Sequence, residues 1–208
     1  RVVVNVGGIA NLTDLPPSGA VRGFDTGPGN VLSDLWHAEH RGGPYDEGGA
    51  WAACGKPVAA LLDAMLADPY FAMPPPKSTG RDRFHSSWLD ERLACAAPGA
   101  APPDVQATLV ALTARTIADA VRRHAPAARE VLVCGGGARN EAWRRIRERL
   151  LGVPVVAAEH EDAAYGAALL ARRGIRLDWR VHARTGVPVT LTTLAICAVH
   201  GAWRLGGG

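Results

Sequence analysis

Eight residues, Gly23-Phe24-Asp25-Thr26-Gly27-Pro28-Gly29-Asn30, constrain this chain more than any other stretch. Three glycines and a proline in so short a run cannot comfortably continue a strand or a helix, and predict a tight turn in which backbone approaches a ligand closely. Val21 to Phe24 read as a short extended segment leading in, and Val31, Leu32, Leu35 and Trp36 recur at helical spacing afterwards, with Asn30 at the cap position. The predicted unit is strand, acidic turn, helix N-terminus. Helix N-termini attract anions through free N–H groups and the helix dipole. A carboxylate at Asp25 is awkward there unless it takes up a proton or meets a metal, and that conflict points to phosphoryl transfer. The plainer reading of the same residues is an Asp that satisfies N–H groups of its own turn.

Bulk properties narrow the classes. At 208 residues, 48% of them apolar, the chain can bury a real core, which excludes a disordered tract. A formal charge of +3 is too small to argue for nucleic acid. Arg139 to Arg149 holds most of the local basic density but includes Glu141 and Glu148, the pattern of a solvated helix face. Cys54, Cys95, Cys134 and Cys197 form no C-x-x-C pair, which disfavours a zinc site or a disulfide framework and fits a reducing cytoplasm. His37 and His40 are three apart on one predicted helix without a third ligand, and read as surface residues rather than a metal site. Val187 to Trp203 is interrupted by Pro188, threonines and His200 and falls short of a membrane span. The chain starts at Arg1 and enters a valine run at once, which suggests a piece of a longer protein.

Taken in order, Arg1 to Val6, the Gly7-Gly8 turn and a strand toward Leu15 predict a β-hairpin whose turn leaves N–H groups open, as phosphate-cradling turns do. Asn5, Asn11 and Thr13 could add side-chain hydrogen bonds, and Pro16 to Gly19 makes a further turn. Helices are expected from Asn30 to about Arg41 and from Gly49 to Ala67, the second stopped by Asp68-Pro69. Pro74-Pro75-Pro76 stiffens a loop that delivers Lys77, Ser78, Thr79 and Arg81 together, either toward an acidic or hydroxyl-rich ligand or simply to the surface. It is not a Walker loop, since the G-x-x-x-x-G-K spacing is absent. Ser86 to Ala96 reads as a short helix, and Asp104 as the cap of a long one reaching about His124, with Val105, Leu109, Leu112, Ile117 and Val121 as its apolar stripe. A buried strand at Val131-Leu132-Val133 then meets Gly135-Gly136-Gly137. A helix from Asn140 to Leu151 and a strand at Val153 to Val156 complete a βαβ unit, with a small-residue helix at Ala163 to Ala171 beyond. In open α/β sheets ligands bind at the strands' carboxyl ends. The lack of G-x-G-x-x-G disfavours a dinucleotide site, and no G-x-S-x-G elbow supports a hydrolase.

The strings N-V-G-G-I-A-N-L-T, G-F-D-T-G-P-G-N, G-x-P-Y-D, D-P-Y-F, P-P-P-K-S-T-G-R, D-V-Q-A-T-L and V-C-G-G-G-x-R-N occur in that order between Val2 and Val156. Together they resemble the C-terminal half of the anhydro-N-acetylmuramic acid kinases, members of the sugar kinase, Hsc70 and actin superfamily. The resemblance implies an α/β fold: an actin-like ATPase (ribonuclease H-like) lobe, a mixed sheet flanked by helices, without its N-terminal lobe. Residues 1–173 would form that lobe and 174–208 a divergent tail. It also implies a cytoplasmic, ATP- and Mg2+-dependent enzyme of cell-wall recycling that opens the 1,6-anhydro bond with water and phosphorylates O6. Asp25 matches the catalytic base, Gly7 and Gly8 a phosphate loop with Asn11, Gly27 and Gly29 beside it, and Gly135, Gly136 and Gly137 the adenosine site. Lys77, Ser78, Thr79 and Arg81 become sugar-side or structural contacts. The metal would bridge phosphates rather than take protein ligands, the partner would be the amino sugar, and the family precedent is a dimer; neither nucleic acid nor membrane is expected.

Two departures accompany the resemblance. The family's first phosphate loop, G-T-S-x-D-G, is absent, and Glu161-Asp162-Ala163-Ala164 stands where the family has a Glu-Ala pair. A non-catalytic half-kinase that binds nucleotide or sugar, or pairs with a separate N-terminal lobe, is therefore the competing expectation. Another carbohydrate kinase of the superfamily would not predict P-K-S-T-G-R.

Overall fold

A computed structural model describes residues 1–16, 18, 20–139 and 154–157. Strands β1 (Val2–Val6) and β2 (Ile9–Asp14) form the expected hairpin, and β3 (Arg22–Pro28) extends it. Helices α1 (Val31–Arg41), α2 (Ala59–Leu66), α3 (Pro69–Ala72), α4 (Ser86–Ala96) and α5 (Pro102–His124) follow, then β4 (Val131–Cys134) and β5 (Val155–Ala157). The sheet order is β3-β2-β1-β4-β5. The hairpin side is antiparallel, whereas β1–β4 and β4–β5 pair in parallel, so the sheet is mixed.

Alternation along β1 decides how the sheet is covered. Val2, Val4 and Val6 are fully buried and join Leu12, Phe24, Val131 and Val133 in one cluster, closed by Ile117 and Val121 of α5. Side chains of this size are each worth about 1.5–3 kcal/mol against exposure, which fixes the register, because a one-residue slip would turn them outward. A second cluster packs Leu32 and Trp36 of α1, Leu61 and Met65 of α2, and Trp88 and Leu89 of α4 against Val105, Leu109 and Leu112 of α5. Helix α5 thus carries both cores, its first half under the helices and its second under the sheet. Among the described residues no helix is long and apolar enough to cross a membrane.

Several boundaries differ from the sequence expectation. The strand entering the acidic stretch runs on through Asp25 to Pro28 instead of breaking into a turn. As an edge strand, β3 needs partners on one side only, so proline at its end is tolerated. The register jumps from Asn11↔Asp25 to Ala10↔Gly27, leaving Thr26 as a bulge residue whose hydroxyl donates to the Ala10 carbonyl at 3.2 Å. The helix expected from Gly49 is two 3-10 turns, Glu47–Gly49 and Ala52–Cys54, followed by an extended link to α2. Here the Asp46 carboxylate takes the Trp51 and Ala52 amides, and Pro57 keeps the preceding residue out of helix. Ala101, not Asp104, caps α5, with Pro102 and Pro103 in the first turn, where a missing N–H costs nothing. The Asp104 carboxylate instead accepts from the Lys56 amide at 2.7 Å. Leu35, counted in the apolar stripe of α1, is exposed. The helices expected at 140–151 and 163–171 and the tail at 174–208 lie outside the described residues, as do Pro17 and Gly19 of the proline-rich turn.

Candidate active site

Three glycine-rich connections meet at the carboxyl ends of β1, β3 and β4. The Gly7–Gly8 turn is fastened to the β3–α1 junction by its carbonyls: Asn30 N–H donates to Gly7 O at 2.8 Å, and the Gly29 and Val31 amides to Gly8 O at 2.9 and 3.1 Å. The approach is so close that a Cβ on Gly29 would overlap the Gly7 carbonyl oxygen. This narrows one expectation, since the Gly29, Asn30 and Val31 amides at the entry to α1 are taken by these carbonyls. Asn30 caps by position without a side-chain bond. From behind, the Thr113 hydroxyl shares its proton between the Gly29 carbonyl at 2.8 Å and the Pro28 carbonyl at 3.1 Å.

At the end of β4, Gly135 adopts φ 86°, a left-handed conformation in which any side chain would run into Val6 O and Asn5 Oδ1. Gly136 and Gly137 open a short 3-10 turn, and Gly136 faces the Asn30 amide. The three predicted glycine loops therefore share one end of the sheet, where Gly27, Gly29 and Gly135 are buried by close packing and Gly7, Gly8 and Gly136 reach the surface. Asn11 lies within β2, in a cross-strand row that reads Asn5, Asn11, Asp25.

Asp25 is buried, with 6% of its surface exposed. Its amide donates to the Lys77 carbonyl at 3.1 Å, and its Oδ2 accepts from the Ser78 hydroxyl at 2.9 Å and the Thr79 amide at 3.0 Å. The Tyr70 hydroxyl donates to its carbonyl at 2.8 Å. Burial raises the carboxyl above its ordinary range, and the Thr79 and Ser78 donors pull it part of the way back. The outcome is a fixed carboxylate that is a stronger base than a solvated one.

The K-S-T-G-R run divides among three places. Ser78 and Thr79 clamp Asp25. The Lys77 side chain is buried, donating to the Tyr70 carbonyl at 3.1 Å and lying 4.6 Å above the Tyr70 ring. Arg81 is exposed and brings its guanidinium over Gly8, where a Cβ would sit 3.4 Å from Nη2. Asp34, in the first turn of α1, feels that guanidinium. Burial lifts its carboxyl to about 6, against the opposing pull of His37 and Arg81.

Sequence reasoning missed the support beneath Asp25. It treated Asp68 as a helix stop, yet Asp68 accepts from Tyr70 N–H at 2.9 Å, Arg83 at 2.6 Å, Trp88 Nε1 at 2.9 Å and Arg92 at 2.9 Å. Burial alone would raise its pKa, but the Trp88, Arg83 and Tyr70 donors together with the Arg83 charge hold it below the ordinary value. The D-P-Y-F string was the available signal, an Asp capping a short helix that presents Tyr70. His37 and His40 make intrahelical and loop contacts, their Nδ1 atoms near the Gly43 and Trp36 carbonyls. Among the described residues no three His, Cys, Asp or Glu converge on a metal position.

Comparison with known proteins places this geometry in context. The family described as anhydro-N-acetylmuramic acid kinase matches residues 1–179. An anhydro-N-acetylmuramic acid kinase of Bordetella petrii is 57% identical over 161 residues, 76% of this chain and 43% of that protein. One of Xanthomonas campestris pv. campestris is 58% identical over 156 residues, 74% of this chain and 41% of its own length. The chain thus spans less than half the length of these relatives. Among solved structures, the activator of the 2-hydroxyisocaproyl-CoA dehydratase from Clostridium difficile, with bound ADPNP, superposes with a TM-score of 0.53 at 14% identity, over 86% of this chain and 64% of that one. That likeness concerns the fold, an actin-like ATPase lobe with a ribonuclease H-like mixed sheet.

Proposed function

The chain belongs to the anhydro-N-acetylmuramic acid kinase family, and from that premise we propose that it carries the catalytic base and the ATP-phosphate contacts of a sugar kinase. The reaction opens 1,6-anhydro-N-acetylmuramic acid with water and phosphorylates O6, giving the 6-phosphate sugar and ADP, in the cytoplasm as part of cell-wall recycling. Asp25 takes a proton from the water that attacks C1; the C1–O6 bond breaks, and O6 attacks the γ-phosphate. The observation that carries this reading is the clamp on Asp25, a buried carboxylate of raised pKa at the end of a glycine-lined sheet.

The fit to a nucleotide rests on the partly exposed backbone at Gly7, Gly8 and Gly136 and on the close packing that sets these turns side by side. Gly135 stands where a side chain would collide with β1, and Gly7 and Gly8 expose backbone beside the Arg81 guanidinium. Gly7, Gly8 and Arg81 would hold phosphate with Gly27, Gly29 and Asn11 behind them, and Gly135 to Gly137 would border the adenosine. Magnesium would neutralise charge on the transferring phosphoryl group. Ser78 and Thr79 serve the base rather than the sugar directly. Residues 1–173 constitute the lobe, and the family precedent supports a homodimer.

The test is ADP release from Mg-ATP in the presence of the anhydro sugar, by the chain alone and with the remaining length of a family member supplied. Turnover abolished by Asp25→Asn is the expected result. Full turnover in that variant would remove Asp25 from the base role, and no turnover in either preparation would overturn the kinase reading.

A further inference from the structure

Behind β3 lies a cavity of about 250 Å3 that the proposed reaction does not use. Phe24 and Thr26, the neighbours of Asp25 in the strand, form its floor, and Lys77, Arg115, Arg123 and His124 surround it. We propose that this cavity is a binding site for a phosphate group, distinct from the glycine-lined end of the sheet.

Two of the cations there, Lys77 and Arg123, lack an answering carboxylate among the described residues. Asp119 is the one acid in the lining, and it is already shared by Arg115 at 3.0 Å and Arg122 at 3.4 Å. Among the ion pairs of the described residues neither Lys77 nor Arg123 appears. Among the described residues the Lys77 ammonium meets the Tyr70 carbonyl at 3.1 Å, the Phe71 carbonyl at 3.5 Å and the face of the Tyr70 ring, none of them an anion. Cations in the last turn of a helix oppose its carbonyl end, which accounts for Arg122, Arg123 and His124 on α5. It does not account for Lys77, which a different segment delivers, whereas Arg115 is held by its i,i+4 pair with Asp119. Burial and the nearby Arg123 charge both depress the Lys77 pKa, so the cluster carries electrostatic stress that an anion would relieve.

Size and donor chemistry select the ligand. Pockets for drug-sized molecules run from roughly 300 Å3 upward, so this one is too small for a nucleotide and suits a single phosphate. Guanidinium groups pair two N–H donors with two phosphate oxygens, and an ammonium adds a point charge. A phosphate dianion matches the two uncompensated cations, Lys77 and Arg123, better than a singly charged carboxylate does.

The measurement is calorimetric titration of the chain with inorganic phosphate, with glucose 6-phosphate as a monoester arm and acetate as the carboxylate control. Phosphate or the monoester is expected to bind, acetate not. Arg123 is exposed, so Arg123→Ala keeps the fold, and it is expected to weaken binding about tenfold, the loss of one charge-assisted contact. Arg81→Ala, at the other site, is expected to leave this binding unchanged. Absence of phosphate binding, an Arg123→Ala titration like the wild type, or equal weakening by both variants would overturn the proposal. None of these readings depends on turnover, so the kinase reading and this one fail separately.

Discussion

The Thr79 amide donates to Oδ2 of Asp25 at 3.0 Å across 54 residues of sequence. Ser78 joins it on the same oxygen, and the Lys77 carbonyl holds the Asp25 amide, so three consecutive residues seize one strand residue by backbone and side chain together. The carboxyl group is held in one orientation by the fold itself, the preorganisation that the proposed base role requires.

Removing one of those donors tests the clamp. A hydroxyl that donates to a carboxylate favours the charged form, so Ser78→Ala raises the Asp25 pKa further. The acid limb of the kcat/KM profile is expected to move to higher pH. An unmoved limb with lower kcat would mean that Ser78 does not act through the base.

Asp25 also sets a stability cost. Its folded pKa lies above the unfolded value of 3.8, so the folded state binds the extra proton and stability falls as pH rises from 3.8 through the raised folded value. At neutral pH the ionised form is the strained one. Asp25→Asn is therefore expected to abolish turnover while raising Tm by a few degrees, the response to about 1 kcal/mol in a chain of this length. A lower Tm would refute that sign.

Asp68 behaves in the opposite sense. Its folded pKa lies below the unfolded value, so its contribution is present above 3.8 and is lost as pH falls through the folded pKa. Asp68→Ala leaves Arg83, Arg92 and Trp88 without their shared acceptor, and should cost about 3 kcal/mol in urea denaturation. It should also flatten the acid side of the stability curve. Because Tyr70 hangs from the same carboxylate, kcat should fall as well.

Gly29→Ala places a methyl group against the Gly7 carbonyl. Overpacking of this kind costs about 1–3 kcal/mol. The expected outcome is lower stability in urea together with weaker ATP binding, since the hairpin turn must move. A change in stability with unaltered nucleotide affinity would separate the turn from the phosphate site.

Local chemistry made much of this legible. The valine alternation of β1, the apolar stripe of α5 and the span Ser86–Ala96 all follow from periodicities that are properties of the chain itself. Asp25 was singled out because an acid amid three glycines contradicts its surroundings. The misplaced turn arose because glycine and proline content cannot distinguish a free turn from an edge strand with a bulge at Thr26. That distinction depends on β2 lying alongside.

By itself, then, the sequence determined the hairpin, the long helix, the parallel unit at β4 and the identity of the acid at their shared end, since each rests on neighbours within a few residues. Only the tertiary structure decided what each polar residue does. Ser78 and Thr79 meet Asp25 because the loop before α4 folds back onto the free edge of β3, and Lys77 lines the cavity of Phe24 and Thr26 by the same fold-back. Hydrogen bonds across 53 and 54 residues are set by how helices and sheet close around a common core, and no local pattern encodes that closure.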